Sequence, residues 1–457
     1  MPSSPIAHRF YRLLRPILVR LGVVSLARWL IGGEMRRAVA VRLGLAGFQP
    51  EEIPAPQRGG GDVRAAHPEL LEGIVLAADL QAESGLGELN RGYGRALLSA
   101  NIPLQHHPLT YNLPRREPLS PELAAIPSAP RKPPKIMLMA SPPAQIIETL
   151  RGLPPALRRA PYRLALWAWE RDSFPAAWRA LCAVAGINEV WTISHFARTV
   201  IAAAVDVPVV RIPIPVDARP TVGISRAALG LPERRFVVFF SFSAASTAAR
   251  KNPFGVIEAF RRAFGRPAEG DPDSPLLVIR AHHLDQHDAK GLAAPLRQGV
   301  AGVGGKLLEG RLSHQAVVDR IALSDCYLSL HRAEGFGLGM AEAMGVGVPV
   351  IGTGYSGSMD FLTAETGFPI RYRLRPIHED DHRYQPHLHT LYPPGDSQWA
   401  EPDLDHAAEC LRFLYMNRST ARAQTERGQR LIETEYSPAA VGAFMAARLA
   451  HVGISTL

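Results

Sequence analysis

Cys326-Tyr327-Leu328-Ser329-Leu330-His331-Arg332-Ala333-Glu334-Gly335-Phe336-Gly337-Leu338-Gly339-Met340-Ala341-Glu342-Ala343-Met344 is the stretch on which the reading of the whole chain turns. Its first residues have strand composition, Met340 to Met344 are good helix formers, and the glycines between them fall where the backbone must turn sharply. Glu334 then precedes the predicted helix and Glu342 lies on it. A helix start presents unpaired N–H groups and a partial positive charge, which suits a phosphate, and glycine lets the backbone come close to it. Carboxylates do not serve a phosphate. Around an anion site they make sense as acceptors for hydroxyls, so the predicted ligand joins phosphate to polyol, as a nucleotide sugar does. A purely structural strand-to-helix turn has the same composition and stays open at this point.

Seven residues separate Glu334 from Glu342, and the stretch is followed by Val348-Pro349-Val350-Ile351-Gly352 and by Gly354-Tyr355-Ser356-Gly357-Ser358-Met359-Asp360-Phe361. This arrangement closely resembles glycosyltransferase family 4, retaining enzymes of the GT-B fold, and the likeness extends more loosely from about Leu76 to the C-terminus. The resemblance implies an α/β protein with two Rossmann-like parallel-sheet domains facing across a cleft, the donor lying mainly in the second. It implies that Glu342 holds the ribose hydroxyls, that Glu334 lies near the sugar, and that Gly335, Phe336, Gly337, Leu338, Ser356 and Gly357 line the donor. No metal and no other cofactor is implied, because the nucleotide sugar is itself a substrate. No protein nucleophile is implied either, since retention in this fold is attributed to same-face attack assisted by the leaving phosphate.

At 457 residues the chain exceeds one ordinary core, and 47% hydrophobic with 20% charged residues is the balance of a globular protein. No run reaches the roughly 18 uncharged apolar residues of a membrane span, and arginines interrupt the N-terminal apolar stretch, against a cleavable signal peptide. Cys182, Cys326 and Cys410 are odd in number, far apart and in apolar surroundings, which predicts buried thiols in a reducing cytoplasm. His378, His382, His387 and His389 share a Pro-rich stretch but match no familiar ligand spacing, so a surface loop is expected.

The formal charge of +9 is concentrated at the start. Residues 1–46 carry eight arginines against one acid, Glu34, and so hold seven of the nine positive charges. Phe10, Leu13, Leu14, Ile17, Leu18, Leu21 and Val24 form a helical stripe between those arginines. Such helices, broken near Gly32-Gly33, suit an anionic membrane surface, or equally a face of the protein or of a partner. Nucleic acid is not an expected partner, for the rest of the chain is nearly neutral and has no reading motif.

Strand and helix patterns alternate from Ile74 onward, which predicts parallel sheets with covered faces. After the first strand, Ser84-Gly85-Leu86-Gly87-Glu88 leads into a helix expected from about Leu89 to Ala100. A dinucleotide fingerprint fails here, since Asn90 stands where its third glycine would fall and no acid follows the next strand. In the resembled family a glycine turn at this place lines the cleft, which makes Gly85 and Gly87 acceptor-side candidates. Glu170, at the end of the strand through Trp167, and His195, after the next strand, are candidates for the same side; a structural role is open for both.

Arg250 and Lys251 are expected just before an amphipathic helix, Pro253 to Phe264. Two cations between a strand end and a helix start suit a diphosphate, Arg forking across two oxygens and Lys acting as a point charge. The resemblance supports Lys251; Arg250 replaces an arginine that related sequences carry earlier, where this chain has Ala245 and Ser246. Asp271-Pro272-Asp273 has the look of a metal-binding acid pair but precedes its strand in a Gly/Pro loop and reads as a turn.

The domain expectation is a basic helical extension and linker over 1–66, an acceptor-side domain over 67–217, a nucleotide-sugar domain over 218–435 and a closing helix over 436–457. The expected activity is retaining, metal-independent transfer of a sugar from a nucleotide-sugar donor to a glycan, lipid-linked or other hydroxyl acceptor in the cytoplasm. Rival readings are a catalytically silent nucleotide-sugar-binding or scaffold protein of the same fold, and a sugar-nucleotide epimerase or phosphorylase.

Overall fold

A computed structural model of the protein describes residues 74–109, 117–128, 134–175, 178–267, 271, 273–284, 291–382 and 397–451. The basic extension over residues 1–66, and His387 and His389, lie outside the described residues. The first sheet contains β1 (Ile74–Ala78), β2 (Leu104–Pro108), β3 (Ile136–Met139), β4 (Tyr162–Trp167), β5 (Glu189–Thr192) and β6 (Val209–Arg211), in the order β2-β1-β3-β4-β5-β6. The second contains β7 (Val237–Ser243), β8 (Leu276–His282), β9 (Lys306–Glu309), β10 (Cys326–Ser329), β11 (Val350–Thr353) and β12 (Phe368–Ile370), in the order β12-β11-β10-β7-β8-β9. All pairings in both are parallel. A hairpin of β13 (Tyr372–Pro376) and β14 (Gln398–Pro402) stands apart.

Successive residues of a strand point to opposite faces, and both faces here are covered. Ile74, Leu76 and Ala78 of β1 enter one core while Val75 and Ala77 enter another. In β7, Val237 and Phe239 join the first of these cores, and Val238, Phe240 and Phe242 enter a third. The inner faces of the two sheets therefore share one continuous apolar cluster.

The helices that position the cleft are α1 (Gly85–Ser99), α2 (His195–Ala202), α3 (Ala248–Lys251), α4 (Pro253–Phe264), α5 (His314–Ala322), α6 (Leu338–Gly345) and α7 (Pro438–His451). One local expectation is corrected. Helix α1 starts at Gly85 rather than near Leu89, because the Ser84 hydroxyl accepts the Gly87 N–H at 3.1 Å and caps the first turn. Gly87 is inside that turn, where a Cβ would stand 1.9 Å from the Ala82 carbonyl oxygen. Arg250 and Lys251 fall just before α4, as expected, and are carried on a separate turn, α3. Asn252, at φ +53°, breaks the two apart, and its side-chain oxygen accepts the Gly255 N–H at 3.1 Å to cap α4.

Helix α7 packs on α1. The Ser99 hydroxyl donates to the Pro438 carbonyl at 2.9 Å, and a Cβ on Gly442 would lie 2.2 Å from the Ala96 carbonyl oxygen. Arg448 of α7 is paired with the buried Glu189 of β5 at 2.5 Å. Cys182 and Cys326 are buried and Cys410 is half-buried; burial pushes all three thiols up, Cys182 to about 12 and Cys410 to about 11. Among the described residues no helix is long and apolar enough to cross a membrane.

Candidate active site

In an open parallel sheet the strand ends diverge where the order reverses, and a crevice opens there. The order β12-β11-β10-β7-β8-β9 reverses between β10 and β7. The loops after these two strands carry Glu334, and Arg250 with Lys251. Sequence positions more than eighty apart are thus brought together: Lys251 Nζ donates to Glu334 Oε1, and Arg250 Nη1 lies 3.3 Å from Glu334 Oε2. Arg250 also donates to the Ala333 carbonyl at 2.8 Å and to the Ser246 hydroxyl at 2.7 Å. Glu170, from the end of β4, approaches its guanidinium at 3.7 Å.

Glu334 is 8% exposed. Burial by itself would push its carboxyl up, but Lys251 and Arg250 outweigh that and hold it at about 2. For Lys251, burial pulls the ammonium down and Glu334 opposes it, so the two partners are not equally secured. The carboxylate, with two cations against it, keeps its charge more firmly than the lysine does. His331, fully buried beside them, is pushed down to about 4 chiefly by burial and is therefore neutral near pH 7. Its Nδ1 is 3.3 Å from the Ser329 hydroxyl and its Nε2 is 3.3 Å from the Tyr355 carbonyl.

The backbone after Glu334 is held against the loop that follows β11. The Glu334 N–H donates to the Ser356 hydroxyl at 2.8 Å and the Gly357 N–H to the Glu334 carbonyl at 2.9 Å. A Cβ on Gly357 would stand 2.0 Å from the Gly335 carbonyl oxygen, so only glycine permits this approach. Gly337, at φ +96°, turns the chain into α6. Phe336 points into the core, its ring 5.2 Å from Phe361 and 5.8 Å from Tyr436, and Leu338 is half-buried.

Glu342, on α6, receives a hydrogen bond from His314 Nε2 at 2.6 Å, and His314 Nδ1 lies 3.7 Å from Glu88 of α1, across the cleft. Burial would lower the His314 imidazole, but Glu342 and Glu88 raise it to about 9. Burial would raise Glu88; His314, Arg91 and Arg95 hold it at about 2. No feature of Leu312-Ser313-His314 marked this histidine in the sequence, because its partners come from two other helices.

The remaining candidates divide. Gly335 meets the first sheet, since a Cβ there would lie 3.0 Å from the Trp169 carbonyl oxygen and 3.2 Å from Ile193. Gly85 has nothing within 4 Å of its Cβ position and is exposed. The His195 backbone N–H donates to the Asp360 carboxylate at 3.1 Å. Asp360 also pairs with Arg211 of β6 at 2.6 Å, and so ties the second sheet's loop to the first. The Asp273 N–H donates to the Asp271 carboxylate at 2.9 Å, and Arg234 pairs with Asp273 at the surface.

Two Rossmann-like parallel sheets whose loop-bearing ends meet across a cleft, with a C-terminal helix returning to the first, define the GT-B fold. Among solved structures the chain is similar to HepE from Anabaena in complex with UDP-glucose, at TM-score 0.58 and 14% identity over 83% of this chain and 100% of that one. Sucrose-phosphate synthase from Thermosynechococcus elongatus gives 0.57 and 14% over 83% and 99%. A glycosyltransferase from Rickettsia africae gives 0.56 and 12% over 83% and 98%. No family model and no curated protein matches the sequence.

Proposed function

We propose that this chain is a retaining glycosyltransferase, related to family 4, that moves a sugar from a nucleotide-sugar donor to a hydroxyl acceptor in polysaccharide or glycoconjugate synthesis. The observation that carries the reading is the convergence of Lys251, Arg250 and Glu334 at the point where the second sheet reverses its strand order. Breaking the bond from the anomeric carbon to the diphosphate puts negative charge on the leaving oxygen while the sugar becomes oxocarbenium-like. Lys251, Arg250 and the N–H groups of Gly335 to Leu338 stabilise that charge without a metal ion. Glu342 accepts hydrogen bonds from the ribose hydroxyls and Glu334 lies beside the sugar. Ser356 and Gly357 hold the loop that seats the donor. The acceptor lies against the first-domain side, near Gly85, Gly87, Glu170 and His195.

The test is a donor screen by thermal shift, beginning with UDP-glucose because HepE was solved with it, followed by turnover with sugar and lipid-linked acceptors. The anomeric configuration of the product is read by NMR. Product of retained configuration, still formed in excess EDTA, is the expected result. Donor binding with no transfer to any acceptor would instead favour a silent binding protein. Rearranged donor in the absence of acceptor would favour an epimerase.

A further inference from the structure

Glu83 follows β1, the strand at which the first sheet reverses its order, whereas His282 ends β8 and His283 comes next. The three belong to opposite walls of the cleft, and the sugar-transfer chemistry proposed above does not draw on them. They are nevertheless buried together, at 5–6% exposure. One ligand atom from each lies within 4.8 Å of those of the other two, and His282 Nε2 is 3.5 Å from Glu83 Oε1. Tetrahedral Zn²⁺ with bonds of roughly 2.0–2.1 Å sets its ligand atoms about 3.4 Å apart, so that pair already stands at the required spacing.

Two further observations point to a ligand. Neither oxygen of the buried Glu83 carboxylate receives a hydrogen bond among the described residues. A buried carboxylate in that state costs stability unless a cation completes it; Arg311 Nε, on a half-exposed side chain at the rim, approaches one oxygen at 3.3 Å. Second, His283 is one of four non-glycine residues with positive φ among those described, at +58°, a conformation of higher energy for a side chain with a Cβ. It sets the adjacent imidazoles side by side, ring centres 3.6 Å apart. The Ser243 hydroxyl stands 3.4 Å from His283 Nδ1. A partner on one ring nitrogen is the usual way a ligating imidazole is oriented.

We infer that Glu83, His282 and His283 form a Zn²⁺ site that bridges the two domains, with water in the fourth position. Two imidazoles and one carboxylate are a donor set that suits zinc rather than magnesium or calcium. The site is complete only when the cleft is closed, so bound Zn²⁺ favours the closed arrangement and stabilises it by mass action. Each imidazole binds the metal through a deprotonated ring nitrogen, so Zn²⁺ competes with protons for the site.

The experiment uses full-length protein freed of metal, titrated with ZnCl₂ by calorimetry and with CoCl₂ by visible absorption, with melting curves at each point. Because the stretch with His378, His382, His387 and His389 offers imidazoles of its own, the readout is the difference between the wild type and variants. Glu83→Gln keeps the side chain's shape, and His283→Gly removes a ligand where positive φ suits glycine, so at least the second folds. The expected result is one equivalent of Zn²⁺ in the wild type that is weakened at least about tenfold in both variants. The Zn²⁺-dependent rise in melting temperature should disappear with it. Equal titrations in wild type and both variants would overturn the site. So would a cluster that answers only to Arg311→Ala, with lower melting temperature and no response to Zn²⁺: that is the behaviour of an ion-pair network. None of these readouts depends on sugar transfer, so failure here leaves the proposed activity standing, and the reverse.

Discussion

Replacing Lys251 by alanine tests the centre of the site. Its Nζ donates to Glu334 Oε1 in a setting where the carboxylate is 8% exposed, and Arg250 at 3.3 Å is the other cation against that carboxylate. Removing one partner of a buried pair costs roughly 3–5 kcal/mol when nothing replaces it; with Arg250 still in place, about 1–3 kcal/mol is expected. The effect on rate is separate. If the ammonium acts on charge that develops as the diphosphate leaves, its loss removes an interaction realised in the transition state, for which a drop in kcat of roughly 10²- to 10³-fold is the usual size. Donor affinity should change far less. The assay is steady-state kinetics on the fraction shown to be folded by circular dichroism, together with Glu334→Gln and the double variant. Coupling of the two side chains should leave the double variant less impaired than the product of the singles. Unchanged kcat in Lys251→Ala would remove this lysine from the chemistry, and a loss confined to KM would make it a binding residue.

The Glu88–His314–Glu342 contact across the cleft should be pH-dependent. An imidazole raised from 6.5 to about 9 contributes stability that is fully present below about 6.5 and lost as the pH rises through about 9. With 32% of the His314 side chain exposed, roughly 1–2 kcal/mol remains after solvent screening. Melting curves of wild type and His314→Gln should therefore differ most near pH 6 and converge near pH 10; a constant gap would refute the ion pair. Gly357→Ala should destabilise by roughly 1–3 kcal/mol or prevent folding, because its Cβ would stand 2.0 Å from the Gly335 carbonyl oxygen; a wild-type urea midpoint would contradict that packing. If residues 1–46 hold the protein to anionic membrane, full-length protein should co-sediment with anionic liposomes at low salt and release at high salt. A form lacking residues 1–60 should then fold, stay active on a soluble acceptor and not bind. Equal sedimentation of both forms would end that proposal.

The parallel sheets were legible from composition, because strands buried on both faces must be apolar throughout and the helices between them must carry a stripe. The turn at Glu334 was legible too, since glycine at φ +96° leaves a local mark at Gly337. Arg250 and Lys251 could be named from the sequence, but not their hold on Glu334, which exists because β7 and β10 are neighbours in the sheet although many residues separate them. The start of α1 was misplaced because glycines weaken a helix by propensity, whereas here Gly87 is needed by a carbonyl oxygen 1.9 Å from its Cβ position. His314 and the Glu83–His282–His283 cluster left no trace in spacing at all. Sequence carries what a residue does to its own stretch of backbone and which face it can bury; only the tertiary structure decides which charges from distant strands end in the same buried place, because that depends on strand order and on the closing of one domain upon the other.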